Sequence, residues 1–411
     1  MKFNNIINKA WLYSIFVMAT FPLLGIKATS IVIIILTLLT FISASIDWRT
    51  SFKSKNLKWI LIFSSLYLYY LISSFFYPFD RTSGFVLEKK MSLFIFPIIL
   101  FLVPQVIKKT KLHLVLLIFA ITTICIALVT NSIILYKGLP YKYTLIADFS
   151  YSYRTYFSDL SKIHPTYISI FLAFSALIFL DFSLKIINYK WQYRILFITC
   201  IACMIPLAAK LPLIAFLISL GFYLLVQPQI WKKIKYYFLL FVTASIIGSV
   251  TIPSLKIRVA EIASSSFSPP EGFGYNSMNV RSGIWNCSLE LIKENWLNGI
   301  GSGNIQNKLN NCYEKFNTNA YLEIDYNTHN EYFNILLSLG VLGLITFLIL
   351  LLTLGYYALK KKEALFFSFI ILITLCFSTE NILDRQAGIV FFAFFSALFA
   401  RVYILQDSKT C

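Results

Sequence analysis

The chain has 411 residues, of which 58% are hydrophobic and 17% are aromatic. Soluble domains average about 45–50% apolar residues, so this composition excludes an ordinary water-soluble protein. The formal net charge is +18, but the Lys and Arg residues concentrate in short segments between apolar runs. That distribution is typical of the positive-inside rule and argues against a nucleic-acid-binding surface.

About twelve apolar segments follow one another along the chain, each close to the roughly 20 residues that an α-helix needs to cross a bilayer. They cover residues 10–26, 28–46, 57–77, 91–107, 112–135, 163–183, 195–209, 211–227, 236–253, 332–358, 364–379 and 387–405. The first is interpreted as a retained helix, because no A-x-A cleavage site of a signal peptide follows it. We therefore predict an all-α integral membrane protein with about twelve transmembrane helices and both termini in the cytoplasm.

One long polar segment interrupts this pattern, at residues 254–331. It divides a single membrane domain into residues 1–253, with the first nine predicted helices, and residues 332–411, with the last three. With the termini in the cytoplasm, the polar segment forms a large periplasmic loop. A membrane protein with one large outer loop that contains Arg and His is expected to carry out its chemistry on that face.

The large loop has helical features of its own. Asn279 is the predicted N-cap of a helix over about residues 280–294, and a second helix is predicted over about residues 304–316. The glycines of residues 299–303 predict a turn between them. Because no strand precedes these glycines, they do not indicate a phosphate-binding loop.

The cysteines leave one question open. Cys287 and Cys312 lie on the two predicted loop helices, where they could form a disulfide in an oxidising periplasm or remain separate. Cys200 and Cys203 have the CxxC spacing, but they lie inside an apolar segment, where a small apolar role is expected, and the sequence has no acidic cluster typical of a divalent-metal site. No metal and no other cofactor is therefore expected.

Ionisable residues at a membrane face are costly unless they serve a function. On the predicted outer side these residues are Arg154, His164, Lys210, Arg281, His329, Glu380 and Arg385. Structural alternatives exist for several of them. Lys210 could simply extend its charge to the interface, and His164 could cap its helix. Glu380 and Arg385 could pair with each other, and the tyrosine-rich segment around Arg154 could be an interfacial aromatic belt or a platform for sugar rings.

Four motifs in the second half of the chain resemble the O-antigen ligase/polymerase superfamily of membrane glycosyltransferases. They are residues 281–285 (RSGIW), 298–303 (NGIGSG), 329–332 (HNEY) and 339–343 (LGVLG). The resemblance covers about residues 280–345. As a set in this order the motifs are fairly specific, whereas any one alone would be weak. Residues 164–167 (HPTY) and 379–381 (TEN) look like more variable parts of the same pattern.

This resemblance implies a GT-C-like membrane fold and an inverting, metal-independent glycosyl transfer on the periplasmic side. The donor would be a glycan on undecaprenyl diphosphate, and the acceptor lipid A–core for a ligase or another carrier-linked glycan for a polymerase. The functional Arg and His of the family correspond to Arg281 and His329. Many members have a Ser-Arg pair at an outer helix start, where this chain has Ala209 and Lys210; Lys keeps the charge but loses the bidentate geometry of Arg.

These residue types suit that chemistry. A departing lipid diphosphate needs cations, and Arg281, Lys210 and Arg154 are the predicted clamp. A sugar hydroxyl needs a general base, for which His329 is the first choice and His164 the second. The other predicted substrate-binding residues are Asn330, Glu380 and Arg385.

The function that this reasoning favours is an inner-membrane ligase of the O-antigen type. A repeat-unit polymerase with the same chemistry is the first alternative, and a ligase for a protein acceptor is another. A polysaccharide transporter or flippase is the alternative from a different class. Transporters usually build their sites near the middle of the bilayer, whereas the charged residues of this chain lie outside the apolar segments.

Overall fold

The computed structural model describes residues 2–77, 80–104, 107–137, 146–207, 209–229, 243, 268–322 and 324–405. Its helices are α1 (Lys2–Met18), α2 (Phe21–Ile46), α3 (Trp48–Ser51), α4 (Ser54–Ser73), α5 (Arg81–Lys90), α6 (Ser92–Leu102), α7 (Lys109–Tyr136), α8 (Ile146–Ser161), α9 (Pro165–Lys185), α10 (Lys190–Leu207), α11 (Lys210–Val226), α12 (Ser277–Asn295), α13 (Ile305–Tyr313), α14 (Glu331–Lys360), α15 (Ala364–Phe377) and α16 (Gln386–Ala400). These residues contain one isolated bridge, between Gly272 and Thr318, and no strand. The all-α prediction is confirmed.

Five helices within the described ranges are long and apolar enough to cross a membrane. They are α2, α7, α9, α14 and the helical stretch Gln386–Leu405, while α11 and α15 are apolar but shorter. Each predicted apolar segment coincides with a helix except residues 236–253, which lie outside the described residues apart from 243. The total of twelve transmembrane helices and the periplasmic position of the loop stay predictions.

The first helix boundary differs from the predicted one. The break falls at residues 19–20 rather than at residue 27, because Pro22 lies in the first turn of α2. Proline lacks a backbone N–H and its fixed φ suits the first helical turn, so it starts a helix there. The helix then bends at Gly25, whose φ of 68° is open to glycine without a steric penalty.

The last long helix lies at the centre of the bundle. All side chains in the apolar window of Gln386–Leu405 are buried. Phe395 of α16 packs against Phe119 of α7 and Phe174 of α9, with ring centroids 4.8 Å and 5.2 Å apart. Phe391 lies 5.4 Å from Phe369 of α15. In lipid the hydrophobic effect does not drive helix association, so such contacts, each worth about 0.5–1.5 kcal/mol, hold the bundle together.

A small helical unit is built from the polar part of the chain; we call residues 268–322 and 324–330 the loop module. Its helices α12 and α13 are joined by a disulfide between Cys287 and Cys312, which answers the question that the sequence left open. The predicted N-cap was wrong by one turn. Asn276 caps α12 by accepting from the backbone N–H of Met278 and Asn279, and the Asn279 side chain accepts from the Asn276 N–H in return. That reciprocal arrangement is a capping box.

Two glycines dock the loop module onto α14. Gly340 has a φ of 71° and bends α14, and Gly299 has a φ of 75° in the turn before α13. Across this contact the Ile300 N–H donates to the Leu337 carbonyl at 2.7 Å, and the Val341 N–H donates to a module carbonyl at 2.9 Å. A Cβ at Gly340 would lie 2.1 Å from the Leu297 carbonyl oxygen. Backbones this close leave no room for a side chain, which gives the glycine motifs a packing role.

Candidate active site

The His-Asn motif lies where the loop module enters α14. His329 adopts a left-handed conformation with a φ of 43°, and its N–H donates to Asn327 Oδ1 at 3.1 Å. Asn330 is the N-cap: its side-chain oxygen accepts from the N–H groups of Tyr332 and Phe333 at 2.9 Å and 3.2 Å. The motif therefore ends one segment and starts the next. The cap occupies the Asn330 oxygen, so its amide NH₂ is the part that could reach a substrate.

A carboxylate connects the two residues that the family pattern singles out. Glu380, in the turn between α15 and α16, accepts from Arg281 Nη2 at 2.9 Å through Oε1. Its other oxygen, Oε2, faces His329 Nδ1 at 3.6 Å. The alternative in which Glu380 pairs with Arg385 is therefore wrong. Sequence placed these three residues on the same side of the membrane, and the structure brings them into contact.

The electrostatic environment keeps Glu380 ionised. Burial by itself would raise the pKa of this carboxyl, but the facing His329 imidazole and the Arg281 guanidinium outweigh burial and hold the pKa below its usual value. A carboxylate that faces Nδ1 favours the imidazole tautomer with its proton on Nδ1, which makes Nε2 the basic nitrogen.

The contact between Glu380 and His329 is not yet a hydrogen bond. His329 Nδ1 is buried and makes no hydrogen bond to any described residue, and 3.6 Å exceeds the usual donor–acceptor length. Catalytic hydrogen bonds are often long in unliganded enzymes and shorten when a substrate binds. The geometry is thus suited to a base that is completed on binding.

Most of the predicted residues line a single cavity of about 480 Å³, which we call the first cavity. Its ionisable residues are Arg154, Asp159, His164, Lys210, Arg281 and Glu380. The three cations come from α8, α11 and α12, which are far apart in sequence. Lys210 is the first residue of α11, where the positive end of the helix dipole adds to its charge. A cavity of this size with three cations suits a phosphate-bearing ligand of moderate size.

His164 lies between the first cavity and a second one. Its Nδ1 accepts from the Thr166 N–H at 3.3 Å, so the predicted helix-cap role is present alongside its place in the cavity. Partial removal from water lowers the pKa of His164 to about 4; Glu380 opposes this shift, whereas Arg154 and Arg385 add to it. The ring is therefore neutral at pH 7.

Three predicted residues, His329, Asn330 and Arg385, do not line the first cavity. His329 faces Glu380, which does line it. Arg385 lines a separate cavity of about 650 Å³, which we call the second cavity. Lys89 and Lys162 also line it. None of these three cations forms an ion pair with a residue that the structure describes. Apolar side chains, among them Phe85 and Ile163, complete the wall.

Sequence reasoning missed a buried polar network behind the site. Lys90 lies 2.8 Å from Asp384 and 4.0 Å from Glu331, and both Lys90 and Glu331 are buried. Glu331 also accepts from the Leu383 N–H at 2.8 Å. The only signal in the sequence was that Glu331 directly follows the His-Asn motif in an otherwise apolar segment. This network fixes the turn that carries Glu380.

Taken together, the described residues define a helical protein of the membrane type whose ionisable side chains gather around cavities next to a small polar module. The family model described as O-antigen ligase matches residues 195–348, a segment that includes Lys210, Arg281 and His329. This match confirms the resemblance to the O-antigen ligase/polymerase superfamily, whose members are glycosyltransferase-like enzymes, and supports a function of the ligase or polymerase type. Arg154, His164 and Glu380 lie outside the matched segment. The search of curated proteins found no match.

Proposed function

We propose that this protein is an inner-membrane glycosyltransferase of the O-antigen ligase type. It would transfer a glycan from undecaprenyl diphosphate to a lipid A–core acceptor on the periplasmic face. The observation that carries the proposal is the contact of one carboxylate, Glu380, with both Arg281 and His329; Glu380 and Arg281 line a cationic cavity. Glu380 thereby connects Arg281, which can bind an anionic phosphate, to His329, which can remove a proton.

The cations act on the leaving group. Transfer breaks the bond between the sugar C1 and the diphosphate oxygen, and negative charge grows on that oxygen. Arg281, Lys210 and Arg154 line the first cavity and would bind the diphosphate there. A charge-assisted hydrogen bond contributes about 1.5–3 kcal/mol. Loss of one of these cations should therefore cost about 10- to 150-fold in rate.

The imidazole acts on the nucleophile. An acceptor hydroxyl attacks C1 from the face opposite the diphosphate, which inverts the anomeric centre. His329 Nε2 takes the hydroxyl proton, and the imidazolium formed faces the Glu380 carboxylate. General-base catalysis of this kind contributes about 10²–10⁴-fold. His164 is the second candidate for the base.

The second cavity is where the proposal puts the acceptor. It shares His164, the second candidate for the base, with the first cavity, and its wall includes Asn327, whose side chain accepts from the His329 N–H. Of the cations that line it, Lys90 is paired with Asp384, whereas Lys89, Lys162 and Arg385 suit phosphate groups; its apolar wall suits an acyl chain. An amphiphilic acceptor such as lipid A–core has both features.

Contacts at one end of the helix bundle support the proposed orientation of the protein in the membrane. Residues expected in cytoplasmic segments meet there: Lys109 pairs with Glu363 at 2.8 Å, and Lys55 donates to the Leu405 carbonyl at 3.2 Å. The proposed site is built from residues expected in the outer segments. This separation supports a topology with cytoplasmic termini and a periplasmic site.

Deletion of the gene, followed by a gel of the surface glycolipid, tests the function. A ligase leaves lipid A–core without any repeat unit, whereas a polymerase leaves core with a single repeat. An unchanged ladder would contradict both assignments and favour the transporter.

Complementation of the deletion strain tests the residues. We expect Arg281→Ala to slow transfer by about 10- to 150-fold and His329→Ala to slow it by about 10²–10⁴-fold, so both variants should leave a strongly reduced ladder at an unchanged protein level. The control is Lys315→Ala, which removes a cation from an exposed ion pair of the loop module and should restore the full ladder. Normal surface polysaccharide with either site variant would exclude the proposed roles.

A further inference from the structure

A buried amide joins the two turns of the proposed site. Asn381 is only 3% exposed and directly follows Glu380 in the chain. We propose that Asn381 is a positioning residue that sets the distance between the Glu380 carboxylate and the His329 imidazole. The proposal rests on the proposed function, because it assigns Asn381 a role only through His329.

The first set of contacts holds both sides of the His329 turn. The Asn330 N–H donates to Asn381 Oδ1 at 2.8 Å, and Asn381 Nδ2 donates to Thr328 Oγ1 at 3.0 Å. The Thr328 hydroxyl donates in turn to the Asn330 carbonyl at 2.9 Å. The residues before and after His329 are therefore bonded to one amide or to each other.

This turn needs external support. A left-handed φ in a residue other than glycine costs of order 1–3 kcal/mol and persists only where the surroundings impose it. His329 has such a φ. Its own side-chain Nδ1 makes no hydrogen bond within the described part of the chain. The support comes from the neighbouring residues: the His329 N–H donates to Asn327 Oδ1, and Asn381 is bonded to both Thr328 and Asn330.

The second set of contacts fixes Asn381 itself. Its Nδ2 also donates to Asp384 Oδ2 at 3.1 Å, and Asp384 is bound to the buried Lys90 at 2.8 Å. The Tyr167 hydroxyl donates to the Asn381 carbonyl at 3.2 Å. An Asn side chain has two N–H donors and one acceptor oxygen, and all of these are in use. Several hydrogen bonds thus hold the turn that carries Glu380, and the His329 turn is bonded to it.

Removal of the Asn381 amide should make the distance between His329 and Glu380 more variable. In Asn381→Ala, the Asn330 N–H loses its acceptor and the Thr328 hydroxyl loses the donor Asn381 Nδ2, while it keeps the Asn330 carbonyl, so His329 can move away from Glu380. A displacement of about 1 Å can cost about 100-fold in rate. We expect kcat to fall by about 10- to 100-fold, with the KM for the donor unchanged within about threefold.

A double-mutant cycle distinguishes positioning from general support of the fold. Purified wild type, Asn381→Ala, His329→Ala and the double variant are assayed with undecaprenyl-diphosphate-linked glycan and lipid A–core from the deletion strain. If Asn381 acts through His329, the double variant is as slow as His329→Ala alone. If Asn381→Ala slows both backgrounds by the same factor, or leaves the wild type unaffected, the inference is wrong while the proposed function stands. If His329→Ala keeps full activity, the proposed function fails as well.

A matched control and a milder variant complete the design. Asn56 is also a buried amide, and its Nδ2 donates to the carbonyls of Thr50 and Ser51 at 3.1 Å and 3.0 Å, but it lines neither cavity and makes none of the hydrogen bonds of the His329 turn. We expect Asn56→Ala to keep kcat within about threefold, and an equal loss in this variant would overturn the proposal. Should Asn381→Ala fail to accumulate, Thr328→Val removes the hydroxyl link alone and enters the same cycle with the same criteria.

Discussion

Replacement of Glu380 by glutamine tests the electrostatic core of the site. The substitution keeps the size of the side chain and an acceptor for Arg281, but removes the negative charge that faces His329 at 3.6 Å. At that distance the attraction between imidazolium and carboxylate is about 1.2 kcal/mol in bulk water and about 4.6 kcal/mol at an effective dielectric constant of 20. Because His329 is 24% exposed and Glu380 14%, the value lies between these limits.

The corresponding loss of rate is about 7- to 2,000-fold, and we expect about 100-fold for Glu380→Gln. The measurement is the initial rate of glycan transfer by purified protein with saturating donor and acceptor. Glu290→Gln is the matched control, because Glu290 pairs with Lys315 on an exposed surface of the loop module; exposed pairs contribute little. A Glu380→Gln rate within threefold of the control would refute the claim that this carboxylate stabilises the imidazolium.

Gly340→Ala should lower the amount of accumulated protein several-fold, because its Cβ would lie 2.1 Å from a backbone oxygen. Gly355→Ala is the control, because the nearest atom to its Cβ would lie at 3.8 Å. Equal protein levels for the two variants would exclude a role of Gly340 in docking the loop module onto α14. Cys287→Ser opens the disulfide to Cys312 and should destabilise the loop module by about 3 kcal/mol, seen as faster limited proteolysis; unchanged proteolysis would contradict this. The lowered pKa of His164, about 4, means that the unfolded state binds more protons between about pH 6.5 and 4, so stability falls as the pH falls through that range. His164→Asn in detergent should therefore lose less thermal stability than the wild type when the pH falls from 7 to 4.5. An identical loss would show that His164 does not cause the fall in stability at low pH.

Local pattern was sufficient for the helices and for much of the loop module. Long apolar segments predicted the helices because a helix in lipid satisfies its backbone hydrogen bonds internally. The helices around Cys287 and Cys312 were predicted, but their disulfide was not, since pairing depends on three-dimensional distance. Helix α5 was missed because it is short and polar, although Asp80 caps it by accepting from the Ser83 N–H.

The sequence predicted which residues belong to the candidate site, but it predicted only in part which of them contact each other. Arg281 and His329 were found through their motifs, and the structure adds that Glu380 joins them. Arg385 looked equivalent to Glu380 in sequence, yet the α15–α16 turn directs the two residues to different cavities. The role of Asn381 was not visible, because its partners come from a segment about 50 residues away.

A single-turnover assay of purified His329→Ala tests the central claim most directly. Wild-type protein and the variant are mixed with undecaprenyl-diphosphate-linked glycan and lipid A–core, and the transferred glycan is followed over time. Removal of a general base should slow transfer by about 10²–10⁴-fold while donor binding stays within about threefold. A variant that transfers glycan at more than one tenth of the wild-type rate would contradict the account.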